Sequence, residues 1–151
     1  MKQTVCFMIL LMMAFGSGCT SDSPDIKAAK ETIRQYDQLI AEGYAGLDMT
    51  PLKRVAADEE YTRVFHHMIA MKEAKLRLES KLKKISYIEV MVKDKTTIVV
   101  KVREVWDFRQ ISLQTGKPES EAKDVLHILS YEVVKQGARW LVKRVTPLEG
   151  K

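Results

Sequence analysis

Four side chains that could bind or act on a small molecule lie at alternating positions of two strand-like segments. Glu104 and Trp106 share one face of the first segment, and His127 and Tyr131 share one face of the second, because successive side chains of a β-strand point to opposite faces. If both faces point inward, burial would raise the pKa of the Glu104 carboxyl, which prepares a general base. His127 or Tyr131 could then donate a hydrogen bond to a developing oxyanion. The spacing therefore predicts one pocket holding all four side chains.

The same residues also fit a purely structural role. Glu104 could form a cross-strand ion pair with Arg144 or with a neighbour of Arg103, and such pairs are common in sheets. A single histidine on an apolar strand face is more often a hydrogen-bonded core residue than a catalyst. Because no catalytic set accompanies Glu104, we expect a binding pocket and assign no catalytic residues.

Cysteine and histidine chemistry is restricted by number and spacing. The two cysteines, Cys6 and Cys19, both precede the folded part, which excludes disulfides, thiolate zinc sites and a cysteine nucleophile there. The adjacent His66 and His67 would point about 100° apart on a helix, whereas a helical metal pair needs a spacing of three or four residues. The sequence also lacks a glycine-rich phosphate loop. We expect neither a metal nor a cofactor.

The N-terminal segment has the pattern of an export signal. Lys2 is followed by an apolar run from Val5 to Phe15 and then by the small residues Gly16, Ser17 and Gly18. This order of basic, apolar and small residues is typical of a secretory signal peptide. The apolar run is too short to cross a bilayer, which takes about 20 apolar residues. We assign residues 1–18 to a signal peptide.

The segment Phe15-Gly16-Ser17-Gly18-Cys19 resembles the lipobox of bacterial lipoproteins, although Gly16 stands where leucine is usual. The resemblance implies that Cys19 becomes the first mature residue and carries the lipid; an ordinary signal peptide cut near Gly18 is the alternative. Residues 19–23 would then be a polar tether reaching at most roughly 17 Å. Thr20 is not the aspartate associated with inner-membrane retention in enteric bacteria. The expected location is the cell envelope, on the periplasmic face of the outer membrane if the organism has one.

The net charge of +5 is modest. Many of the basic residues fall in one short stretch: Lys72, Lys75, Arg77, Lys81, Lys83 and Lys84. No aromatic residues interleave with them, so we expect no nucleic-acid partner. On an anchored, exported protein such a stretch favours anionic lipid headgroups as a partner. A solvated helix face is the simpler interpretation.

Hydrophobic periodicity divides the rest of the chain into a helical part and a strand part. Apolar residues recur every three or four positions in three segments, which predicts helices from Pro24 to about Tyr44, over residues 50–56, and from Asp58 to Lys83 or Lys84. Runs rich in β-branched residues predict strands at 86–92, 96–108, 125–134 and 139–145, with a hairpin loop at 114–121. The second run is longer than an ordinary strand, which indicates strong curvature or a bulge.

These elements predict a single α+β domain over residues 24–151. Three N-terminal helices would pack on one face of a curved antiparallel sheet of about four strands. A chain of this length is sufficient for one domain with its own core and too short for two.

The order of elements resembles the nuclear-transport-factor-2-like superfamily, also called cystatin-like or ketosteroid-isomerase-like. The resemblance rests on Glu104-x-Trp106 in a long strand, on Tyr131, and on a closing Gly137-x-x-Trp140-Leu141-Val142. It implies a cone whose concave sheet face and helices enclose a pocket. The superfamily includes isomerases, dehydratases and many noncatalytic exported domains, and its sheet surfaces often pair into homodimers.

Three functions follow as hypotheses. The first is a membrane-anchored lipoprotein whose domain binds a protein partner or a small apolar ligand without catalysis. The second is an isomerase or dehydratase that uses Glu104 as general base. The third is a scaffold of an envelope assembly.

Overall fold

The computed structural model describes residues 22–148. It contains two α-helices with one 3-10 turn between them, followed by four strands: α1 Pro24–Gly46, the 3-10 turn Thr50–Arg54, α2 Asp58–Glu73, β1 Leu76–Asp94, β2 Thr97–Ser112, β3 Pro118–Gln136 and β4 Arg139–Pro147. The strands form one antiparallel sheet in the order β1-β2-β3-β4, and the helices pack on its concave face. The predicted α+β class is confirmed. The signal peptide, Cys19 and most of the tether lie outside the described residues.

Helix α1 begins and is buried as its sequence dictates. The Ser23 hydroxyl caps the helix by accepting from the Ile26 amide at 3.3 Å, and Pro24 occupies the first turn. One face is buried, at Ala29, Thr32, Ile33, Tyr36, Asp37, Gly43 and Tyr44. Asp37 is the one ionisable carboxyl on this face, which becomes important at the site below.

The predicted third helix was wrong in its C-terminal half. Helix α2 ends at Glu73, and Lys75 takes a left-handed conformation with φ of 60° that turns the chain into β1. Leu76 continues the apolar stripe of α2 seven residues after Ile69, which favours a helix, whereas Leu76, Leu78 and Leu82 together fit only one face of a strand. The segment forms a strand because it pairs with β2, beginning with Leu76 opposite Ser112.

Two further boundaries differ from the prediction. The second helix is only a 3-10 turn, Thr50–Arg54. The loop predicted at 114–121 is confined to residues 113–117, because β3 begins at Pro118. The second change lengthens β3 at its start.

The sheet is strongly curved. Register shifts interrupt the β1–β2 pairing in three places and the β2–β3 pairing between Trp106 and Phe108, and such bulges bend a strand and increase its twist. The inward residues of β2 are buried: Ile98, Val100, Val102, Glu104 and Trp106. They pack against α1 and the segment leading into α2 to form the core.

Strand β1 runs antiparallel to α1 along its whole length. Near the start of β1, the Arg77 guanidinium donates to the Ala45 carbonyl at 3.2 Å. Further along, the Tyr87 hydroxyl donates to the Lys30 carbonyl at 3.2 Å. One end of the domain therefore carries the α1 N-terminus and the β1–β2 turn, and the other carries the α1 C-terminus and the β2–β3 turn.

Gly43 is required by packing. A Cβ at this position would lie 2.3 Å from the sulfur of Met49 and 3.1 Å from the Asp48 carbonyl oxygen, and Met49 is itself buried. We expect Gly43→Ala to lower the free energy of unfolding by about 1–3 kcal/mol, because Met49 must leave its place in the core. Urea denaturation monitored by circular dichroism measures this.

Gly46→Ala is the matched control, since nothing lies within 4 Å of a Cβ there. We expect it to leave stability unchanged or to raise it by up to about 1 kcal/mol through helix propensity. Equal losses in the two variants would contradict the packing explanation.

Candidate functional site

A cavity of about 160 Å³ lies between the helices and the concave sheet face. Its lining is mostly apolar and aromatic, with a small polar group on one wall. The residues are Tyr36, Asp37, Ile40, Tyr44, Arg63, Leu78, Ser80, Glu104, Trp106, Phe108, His127, Leu129, Tyr131 and Val145. The structure thus places all four sequence-predicted pocket residues around one cavity.

Glu104 is held by two donors. It is only 1% exposed. The Trp106 indole nitrogen donates to Glu104 Oε2 at 2.7 Å, and the Tyr131 hydroxyl lies 2.9 Å from Glu104 Oε1. The expected ion pair with Arg144 was wrong, because Arg144 lies on β4 and pairs with Glu59 at 3.1 Å. Glu104 faces the interior, and both groups that donate hydrogen bonds to it are uncharged.

The Tyr131 hydroxyl lies between two carboxyl groups. It is 2.8 Å from Asp37 Oδ1 and 2.9 Å from Glu104 Oε1. The hydroxyl has one hydrogen and can donate it to one acceptor only. The second short contact therefore needs another proton, and one carboxyl group of the pair must be protonated.

That proton resides on Asp37. Burial raises the pKa of Asp37 well above its ordinary value, and the negative charge of Glu104 raises it further. Burial also raises the pKa of Glu104, but the hydrogen bonds from Trp106 and Tyr131 act in the opposite direction. Asp37 Oδ2 has no hydrogen-bond partner among the described residues, so nothing there stabilises a charge on it. The site then holds a neutral Asp37 beside an anionic Glu104.

A second polar chain supports the first. The Tyr36 hydroxyl donates to Glu60 Oε1 at 2.5 Å, and the Arg63 guanidinium makes two hydrogen bonds to the same carboxylate at 2.5 and 2.9 Å. The Tyr36 ring meets the Tyr131 ring edge-on at 6.0 Å between centroids. Burial raises the pKa of both tyrosines well above the ordinary value, so both hydroxyls remain donors.

The remaining wall is aromatic. Trp106 stacks on Phe108 at 5.9 Å, and Phe108 stacks on His127 at 5.7 Å. His127 is partly buried and makes no hydrogen bond within the described part of the chain. His127 is therefore a ring in a stacked wall of the cavity and not the hydrogen-bonded core histidine that was the alternative.

Three residues of the site were missed by the sequence analysis. Asp37 interrupts the apolar stripe of α1 beside Tyr36, and a carboxyl on a buried helix face is a signal that could have identified it. Glu60 lies four and eight residues before the buried Val64 and Met68, which places it on the buried face of α2. Arg63 is on the adjacent turn, and no sequence signal distinguishes it from other surface arginines.

Other features of the described residues bear on function. Residues 22–148 contain no group of three or more potential metal-ligating side chains. His67 is exposed, and its Nδ1 lies 2.7 Å from the hydroxyl of Tyr44. None of the helices in this part of the chain is long and apolar enough to span a membrane.

No protein-family model matches the sequence, and no curated protein does. Solved structures do match. The intermembrane-space region of the chloroplast protein ARC6 aligns over 85% of this chain and 100% of its own length, with 18% identity and a TM-score of 0.71. An NTF2-like superfamily protein from Salmonella enterica serovar Typhimurium aligns over 81% of this chain and 91% of its own, with 12% identity and a TM-score of 0.56.

A periplasmic fragment of TraM aligns over 78% of this chain and 96% of its own, with 7% identity and a TM-score of 0.54. At such identities the likeness establishes the fold alone. The chain has the cone fold of the nuclear-transport-factor-2-like superfamily, as the sequence resemblance implied.

The neutral state of Asp37 predicts a pH-dependent stability. Because its pKa is raised on folding, the folded protein keeps a proton that the unfolded chain releases near pH 4. The free energy of unfolding therefore falls as pH rises from about 4 toward the raised pKa. Asp37→Asn keeps a neutral side chain at every pH. We expect it to match the wild type near pH 4, to exceed it in stability near pH 8, and to flatten the pH profile.

Urea unfolding across this pH range measures the effect. Glu119→Gln is the control. Glu119 is exposed, and its substitution makes the same change from a carboxyl to an amide group. If Asp37→Asn kept the pH dependence of the wild type, the proton would reside on another group.

Proposed function

We propose that this chain is a membrane-anchored exported lipoprotein whose cone domain binds a small, largely apolar ligand, free or presented as a side chain by a protein partner, without catalysis. The observation that carries the proposal is the cavity of about 160 Å³ with a neutral, incompletely hydrogen-bonded carboxyl group in its wall. Its apolar rings favour an apolar ligand, and its single polar corner favours one polar atom.

The size of the cavity limits the ligand. A dry apolar cavity of roughly 150 Å³ accommodates one benzene ring, whereas pockets for drug-sized molecules measure roughly 300–1,000 Å³. A single ring or a short branched chain therefore fits. Larger polycyclic ligands would require the walls to move.

The polar corner gives the ligand its orientation. Asp37 Oδ2 is buried without a partner among residues 22–148, and leaving such a group unpaired costs about 1–3 kcal/mol. A ligand hydroxyl that donates its hydrogen to this oxygen would remove that penalty. Binding should therefore discriminate between a ring with an oxygen substituent and the same ring without one.

Binding is supported better than isomerase or dehydratase chemistry. A general base needs a free carboxylate facing its substrate. Both oxygens of Glu104 accept hydrogen bonds, from Trp106 and Tyr131. Asp37 has a free oxygen, but its raised pKa keeps it protonated. Neither carboxyl group is poised to remove a proton.

The anchor and the location rest on the N-terminal sequence. The lipobox-like segment ending at Cys19 supports lipid attachment, and attachment of two or more acyl chains gives stable membrane association. Two solved structures of the same fold are described as an intermembrane-space region and a periplasmic fragment, so the fold suits a compartment bounded by membranes. We place the domain in the cell envelope, on the periplasmic face of the outer membrane in a diderm organism.

A scaffold role in an envelope assembly is the second candidate. The outward face of the sheet exposes Met91 and Leu126, which are 42% and 55% accessible. Apolar side chains on an open sheet face suit pairing with another protein surface, including a second copy of this chain.

Ligand binding is tested with phenol and toluene, which share a ring and differ in the hydroxyl group. We expect both to perturb the amide resonances of residues around the cavity, with phenol binding about fivefold or more tightly because of one additional hydrogen bond. Two-dimensional NMR titration measures both affinities.

Ser80→Leu should abolish this binding, because Ser80 lines the cavity and the larger side chain fills it. Ser86→Leu is the matched control, since Ser86 lies opposite Arg103 on the outward face of the same strand. Equal affinity for the two ligands, or undiminished binding by Ser80→Leu, would contradict the proposed site.

Lipid attachment is tested in a bacterial host by detergent phase partition and metabolic labelling with palmitate. We expect the wild-type chain in the detergent phase with label, and Cys19→Ser in the aqueous phase without label. Cys6→Ser is the control and should behave as the wild type, since Cys6 precedes the cleavage site. Label retained in Cys19→Ser would contradict the assignment.

A further inference from the structure

We propose that one end of the domain is a membrane-facing surface that rests on anionic phospholipid headgroups. This surface, the tether end, comprises the first turn of α1 and the β1–β2 and β3–β4 turns. The inference rests on the lipid anchor proposed above. It adds which surface faces the bilayer and which side chains meet it.

Three separate parts of the chain form the tether end. Lys135 on β3 pairs with Asp25 of α1 at 3.1 Å, and the Trp140 indole donates to the same carboxylate at 3.4 Å. The Lys135 amide donates to the carbonyl of Thr96 in the β1–β2 turn at 2.7 Å. Both turns and the start of α1 therefore lie together, at the place where the chain leaves toward Cys19.

Unpaired positive charge collects at this end. Four basic side chains are exposed and have no ion-pair partner within residues 22–148: Lys27, Lys93, Lys95 and Arg139. The carboxylates nearby are already engaged. Asp22 pairs with Lys30 and Asp25 pairs with Lys135, whereas Asp94 accepts from the amide and hydroxyl of Thr96 and offsets only one of the four charges. The surplus charge complements an anionic membrane.

Apolar surface accompanies the charge. Val92, beside the β1–β2 turn, is 57% exposed, the most accessible large apolar side chain of the described residues. It lines a groove of about 380 Å³ with Ile98 and Trp140. An exposed aliphatic side chain flanked by lysines suits the boundary between headgroups and acyl chains.

The basic stretch noticed in the sequence is less suited by its position to meet the membrane. Arg77 pairs with Glu79 at 2.8 Å, and Lys83 pairs with Asp124. It also starts at the opposite end of the domain, where Leu76 follows α2 and Arg77 contacts the α1 C-terminus. Helix α1 has 23 residues, so its ends are about 34 Å apart. Two of its six basic side chains are paired locally, so its distance from the tether, more than its charge, sets it apart from the tether end.

The tether keeps the proposed surface close to the lipid. Only residues 20–22 separate Cys19 from Ser23, the cap of α1. Such a segment spans at most roughly 17 Å when extended. The tether end is therefore within reach of the headgroups, whereas the far end lies a helix length further away.

Fluorescence quenching measures which end faces the bilayer. The lipidated chain is reconstituted in vesicles of phosphatidylethanolamine with a minor fraction of phosphatidylglycerol, and a quencher is attached to the headgroups. In this chain the lipid blocks Cys19, and Cys6 has been removed with the signal peptide. A maleimide dye therefore reacts only with an introduced cysteine. Gln136→Cys places the dye at the tether end and Gln114→Cys at the far end; both positions are exposed.

We expect several-fold stronger quenching at position 136 than at 114. Lys93→Glu combined with Lys95→Glu should reduce the part of this quenching that depends on phosphatidylglycerol by roughly fivefold or more. Lys81→Glu combined with Lys84→Glu changes the same charge on β1 away from the tether end and should leave it unaltered. Equal quenching at both positions, or equal effects of the two charge reversals, would overturn the proposal.

The unsubstituted chain separates this result from a failure of the anchor. If it sediments with the vesicles and takes up no dye, the anchor is present and the quenching result judges the membrane-facing surface alone. If it stays in solution and Cys19 reacts with the dye, the lipoprotein proposal fails, and the membrane-facing surface fails with it.

Discussion

The structure is organised around one proton shared by two buried carboxyl groups and a tyrosine. Asp37 comes from α1, Glu104 from β2 and Tyr131 from β3, so this contact joins the helix layer to the middle of the sheet. Two buried anions this close would repel each other strongly in a medium of low dielectric constant. Protonation of Asp37 removes that repulsion, and the indole of Trp106 stabilises the charge that remains on Glu104.

This constraint also determines what the cavity can do. A neutral carboxyl group and a tyrosine hydroxyl form a polar corner that is surrounded by aromatic and aliphatic walls. The carboxylate beside it is fully engaged in holding the corner together. The arrangement leaves Asp37 Oδ2 as an acceptor without a partner among residues 22–148.

The outer surface is organised by a different rule, the pairing of charges between neighbouring strands. On β1, Lys83 meets Asp107 of β2 and Asp124 of β3. At the two turns beside the α1 N-terminus, basic residues outnumber the available acids. Positive charge without an ion-pair partner within residues 22–148 therefore lies where the chain leaves toward Cys19.

The sequence by itself determined the fold class, the order of the strands and the inward face of β2 and β3, because periodicity and β-branched composition act locally. It also identified Glu104, Trp106, His127 and Tyr131 as neighbours, since alternation within adjacent strands brings them to one face. Only the tertiary structure decided that 76–84 is strand, because Leu76 also continues the apolar stripe of α2 seven residues after Ile69. It alone brought Asp37 to Tyr131, since a contact across 94 residues depends on how α1 crosses the sheet.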